Sequence, residues 1–165
     1  MLTTELTATM SSLFSELANG AAEGGAAFIL NSGDAGFLKS IDRLTAGDAS
    51  RSVEGGATIA AHVEHVRYGL ALMNRWAREG GNPFADAAWD AAWRISVVND
   101  DTWKEIRAGV GHEASTWLAV LNTPREVAPV ELTGLVASIA HLAYHMGAVR
   151  QIGRQARGPR DGTFK

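Results

Sequence analysis

Apolar residues recur every three to four positions through most of the chain, and no run of β-branched residues alternates with polar ones, so the pattern predicts an all-α fold. Leu6, Met10, Leu13, Phe14 and Leu17 form a first stripe that Asn19-Gly20 stops. A Gly/Ala-rich connection, Phe28-Ile29-Leu30 and the turn Asn31-Ser32-Gly33 follow, and Asp34 is placed to cap a short helix carrying Phe37, Leu38, Ile41 and Leu44. A second long helix is predicted over 58–79, with Ile59, Val63, Val66, Leu70 and Met73 inward and Gly80-Gly81 at its end. Asn82-Pro83 opens a connection that contains Trp89 and Trp93. Asp100 and Asp101 then offer caps for a third helix over 101–122, whose inner face is Trp103, Ile106, Val110, Ala114, Trp117 and Leu121, with Pro124 beyond it. The fourth spans 131–156 with Leu135, Ile139, Leu142, Met146 and Val149 inward, and Gly158-Pro159 closes it. Four such segments predict a four-helix bundle in which residues 1–165 form one domain, 1–50 holding the first helix and the short connecting helix.

Composition fits that picture. The chain has 165 residues, 46% hydrophobic and 20% charged, enough for one core. A net charge of −3 gives no long-range attraction to phosphate backbones or anionic lipid, so neither a nucleic-acid nor a membrane partner is expected. Met1-Leu2-Thr3-Thr4-Glu5 has no basic leader, which predicts a cytoplasmic protein. Leu132 to Val149 carries no Asp, Glu, Lys or Arg and approaches the ~20 apolar residues of a spanning helix. It also holds Thr133, Ser138, His141, Tyr144 and His145, and is read as a helix buried in protein. Arg150, Arg154, Arg157, Arg160 and Lys165 beyond it complement a helix C-terminus.

The chain has five histidines and no cysteine, so any metal site is built from imidazole and carboxylate. His141 and His145, four apart, share one helix face and can clip one ion or stand as core histidines. His65 lies roughly 100° to one side of its own stripe, and His62 nearer the centre. Helical phase lets all four face inward and leaves open which of His62 and His65 is a third ligand. His112 falls off the stripe of the third helix and is read as exposed. Ser138 stands where a Glu-x-x-His pair would need a carboxylate, which argues for one metal and against a di-iron site.

Thr58-Ile59-Ala60-Ala61-His62-Val63-Glu64-His65 resembles the start of the second helix in DinB/YfiT-like proteins, where a Ser/Thr-Ile opening precedes a histidine by seven positions. His141-Leu142-Ala143-Tyr144-His145-Met146-Gly147-Ala148-Val149-Arg150-Gln151 is similar to that family's H-x-x-x-H-x-G-x-[IV]-R-Q fourth helix. The resemblance implies an up-up-down-down four-helix bundle, commonly a homodimer. It also implies one divalent metal (Zn, Ni or Fe) on His65, His141 and His145, with His62 beside them or in the place of His65. The stretch from Ala21 to Ser50 has no functional counterpart in it.

Family resemblance and residue chemistry together leave two functions open. One is a metal-dependent enzyme of an unidentified small molecule, a hydrolase or a thiol-dependent transferase whose low-molecular-weight thiol comes from outside, since the chain has none. The other is a non-catalytic dimeric binding or stress-response protein with structural histidines. Glu64, Tyr68, Trp93, Tyr144 and Arg150 are the candidate pocket residues, Arg150 as an anion clamp; no other enzyme motif occurs in the sequence.

Overall fold

The computed structural model describes residues 4–21 and 26–158, and among these it contains six α-helices, two 3-10 turns and no strand. The helices are α1 (Thr4–Asn19), α2 (Gly36–Asp42), α3 (Ala46–Ala49), α4 (Ile59–Glu79), α5 (Asp100–Leu121) and α6 (Pro129–Ile152), with the turns at Ala92–Arg94 and Arg154–Ala156. Pro159, Arg160 and Lys165 lie outside the described residues.

The stripes read from the sequence become the core. Ile59, Val63, Val66, Leu70 and Met73 of α4, Trp103, Ile106, Val110, Ala114, Trp117 and Leu121 of α5, and Leu135, Ile139, Leu142, Met146 and Val149 of α6 are all buried. Each large apolar side chain removed from water contributes about 1.5–3 kcal/mol. In α1 the stripe is only half right: Phe14 and Leu17 are buried, whereas Leu6, Met10 and Leu13 are partly exposed and Thr7 and Ser11 are buried. Ser11 donates to the Asn122 side-chain carbonyl at 2.6 Å, which ties α1 to the end of α5.

Capping chemistry sets the boundaries. Thr58 is extended and its hydroxyl accepts from the Ala61 N–H, opening α4, which Gly80 ends at φ +70°. The cap of α5 is Asn99, one residue before the predicted aspartates, because its side chain reaches the Thr102 N–H at 2.8 Å; Asp100 and Asp101 occupy the first turn. Asp34 does not cap α2, whose N-cap is Ala35; its carboxylate accepts from the Gly36 N–H and turns toward an arginine. α6 starts at Pro129 and stops at Ile152, so the predicted 131–156 helix loses its last turn to Gly153 and the 3-10 turn. α3 was not predicted; Thr45 and Asp48 close it with a reciprocal capping box.

α4 packs on α5 and α6, and α1 on α5 and α6. Their directions correct the expected up-up-down-down order. The Thr58 hydroxyl donates to the Ile95 carbonyl at 2.8 Å, so the residues before α5 lie beside the start of α4, and Asn74 of α4 meets Glu113 of α5: the two helices run the same way. Gly69 of α4 faces His141 of α6, and Gly134 faces Trp76, so α6 runs against α4. Ser11 of α1 meets Asn122 after α5, and Asp34, beside Gly20 at the end of α1, meets Arg150 near the end of α6. The four long helices therefore run up, down, down, up. The connection from Gly80 to Asn99 permits this order, being long enough to return along the whole of α4.

By length and composition α6 alone among the described helices could cross a membrane, and 39% of its most apolar stretch is buried. Two of its polar groups turn inward: Ser138 accepts from the Trp117 indole N–H at 2.9 Å, and His145 is buried.

Candidate metal centre

α4 and α6 bring His65, His141 and His145 together, with one ligand nitrogen from each lying within 4.8 Å of the others. The antiparallel register does this, since His62 and His65 at the start of α4 meet the second half of α6. Gly69, one turn beyond His65, removes the side chain that would crowd the second ring: a Cβ there would lie 3.3 Å from His141 Cε1.

The four imidazoles are not equivalent. His145, 2% exposed, has its Nε2 3.0 Å from His141 Nε2 and its Nδ1 3.0 Å from His62 Nδ1. A neutral imidazole has one N–H, so His145 donates at one nitrogen and offers a lone pair at the other. His65 is 9% exposed, and its Nδ1 is buried with no hydrogen-bond partner. Leaving such a group unsatisfied costs roughly 1–3 kcal/mol, which a cation bound at that nitrogen would remove. Donor chemistry, spacing and the orphaned nitrogen all fit a divalent ion on His65, His141 and His145. His62 touches the cluster through the far nitrogen of His145, the place of a group that fixes a ligand's tautomer.

Burial holds the rings neutral, the form a metal needs. It pushes His145 down to about 3, helped by the neighbouring His141, His65 and His62, and His141 down to about 4, helped by His65. His65 and His62 are lowered too, chiefly by burial. At pH 7 the ion would therefore displace few protons.

Trp93 covers the cluster: its indole stacks on His65 with centroids 4.4 Å apart and meets His62 edge-on at 5.4 Å. Trp89, which the sequence did not single out as a site residue, lies 5.4 Å from His65. Both sit in the irregular 80–99 segment, where no periodicity indicates which way a side chain faces. Tyr144 sets its ring edge-on to His145 at 4.9 Å and is 70% exposed, while the Tyr68 hydroxyl accepts from the Ala88 N–H at 3.0 Å and steadies the tryptophan loop.

Two candidates are not brought to the cluster. Glu64 is held by Arg67, one turn along the same helix, through contacts of 2.7 and 2.5 Å. Arg150 is no anion clamp: it grips Asp34 with two contacts of 2.8 and 2.7 Å, and the Asp34 side chain is 2% exposed. The Arg150 guanidinium and the Gly36 N–H hold the Asp34 carboxyl below its usual range against the opposing effect of burial. His112 is exposed, as read from the sequence.

Beside His141 a cavity of about 800 Å³ opens between α4, α6 and the tryptophan loop, lined among others by Leu70, Met73, Trp76, Phe84 and Trp89. No family model, curated protein or solved structure matches the chain.

Proposed function

We propose that the chain is related to the DinB/YfiT-like proteins through its histidine motifs, in a helical bundle of different helix order, and that it holds one divalent metal on His65, His141 and His145 and uses it as an enzyme acting on a small molecule. The observation that carries this reading is the convergence of three neutral imidazoles at which the buried Nδ1 of His65 lacks any other partner. When bound, the ion supplies a Lewis acid that can polarise a carbonyl or lower the pKa of a bound water or thiol. The protein's own part is to keep the ligands deprotonated by burial, to orient His145 through His62, and to cover the cluster with Trp93 and Trp89. Amide or ester hydrolysis and thiol transfer both suit such a site, and in the second the sulfur arrives with a co-substrate.

A homodimer is part of the same proposal. Val136 and Tyr144 leave an exposed, uncharged face on α6, away from the cavity wall, which a second copy would cover. The alternative, a chain of imidazoles from His62 through His145 to His141 that serves structure alone, is favoured by the two 3.0 Å contacts and leaves the His65 nitrogen unexplained.

The test is metal content and thermal stability. Protein purified without chelator, or loaded with Zn²⁺ or Ni²⁺, should carry one ion per chain. A free-metal excess of ~100-fold over Kd should raise the melting temperature by about 5–10 °C, with EDTA reversing it. Absence of both effects refutes the metal reading.

A further inference from the structure

The cavity beside His141 has a mostly apolar lining and carries no basic residue. α4 contributes Leu70, Met73 and Trp76, the tryptophan loop contributes Phe84 and Trp89, and the one charged lining residue, Glu131, is engaged by Arg125 at 2.9 Å. No lysine or arginine lines it, so nothing there is placed to receive a phosphate, a sulfate or a free carboxylate. Its α6 wall runs from Val130 to Leu142, roughly 18 Å at 1.5 Å per residue, with His141 near one end.

Two glycines shape this space. Gly69 lets His141 lie against α4, and Gly134 lets the Trp76 indole close on α6, since a Cβ there would sit 2.5 Å from the Trp76 ring. The result is an apolar trough whose imidazole end belongs to the histidine cluster. At about 800 Å³ it falls within the range of pockets that take whole small molecules.

We infer that this cavity binds the body of an uncharged, largely apolar substrate, an aryl or medium-chain alkyl compound, and presents its one polar group to the histidine cluster. The inference rests on the metal-site reading and narrows its substrate class. A multiply charged substrate would lose hydration against Leu70, Met73 and Phe84 without meeting a lysine or arginine, since the polar lining is limited to Asn82, Glu131, Thr133, Ser138 and His141. An alkyl or aryl body gains with each buried methylene, and the wall is long enough for six or more.

Hydroxamic acids probe both ends separately, because the head binds a metal and the tail can be lengthened. Zinc loading is measured first. On the zinc-loaded protein, octanohydroxamate should bind at least ~100-fold tighter than acetohydroxamate by calorimetry. Phe84→Ala, in the loop, and Ala137→Trp, which fills the cavity one turn before His141, should each remove most of that gain and leave acetohydroxamate unchanged. Equal affinities for the two hydroxamates on zinc-loaded protein overturn the apolar-substrate inference alone and leave the metal site standing. A tail-dependent gain that survives both variants places the tail elsewhere and overturns it too. A chain that takes up no zinc overturns the metal reading and this inference with it.

Discussion

Replacing His65, His141 or His145 by alanine should abolish stoichiometric metal binding, whereas His62→Gln should keep one ion per chain and weaken it by about 10–100-fold. The asymmetry follows from the atoms. His145 presents Nε2 toward His141 and Nδ1 toward His62, so a metal at the three-histidine cluster leaves the Nδ1–H to donate to His62. Loss of His62 unpins the ring and leaves the ligand in place; loss of a ligand removes a coordinate bond. Isothermal titration with Zn²⁺ measures all four variants, with circular dichroism confirming that each remains helical. A His62 variant without metal beside a His65 variant that retains it would exchange the two roles.

The second large effect lies away from the metal. Asp34→Ala leaves the Arg150 side chain, 17% exposed, without its carboxylate partner, and should destabilise the fold by about 3–5 kcal/mol in urea denaturation. Asp34→Leu with Arg150→Met, which removes both charges, should recover most of that loss, because the desolvation cost disappears with the pair. A cost near zero for Asp34→Ala would show that the ion pair does not hold the Gly20–Gly36 connection to the end of α6.

The inner faces of α4, α5 and α6 follow from a 3.6-residue period, since burial selects one side of a helix and little else competes. The histidine cluster was legible less fully: phase allowed four imidazoles to face inward but set His62 nearer the stripe's centre, whereas the fold buries His65 and gives His62 the outer position. Arg150 was legible as a basic residue in the last turn of α6 but its pairing with Asp34 was not, because the partner lies 116 residues away. Glu16 passes for a solvated helix carboxylate in the sequence; it is buried and accepts from the backbone N–H groups of Phe28, Ile29 and Leu30, ordering a segment that had no assigned purpose. The direction of α5 was implicit in the length of the connection before it, but length permits a return along α4 without requiring one. Trp89 and Trp93 were hidden by the irregular backbone that carries them.

X-ray absorption at the zinc edge of the loaded protein tests the three-histidine site. Three imidazole rings, each with its nitrogen at about 2.0–2.1 Å and the multiple-scattering signature of its outer ring atoms, are expected, with an oxygen ligand in the remaining position. A shell of oxygen alone, or of two or fewer imidazoles, would contradict it.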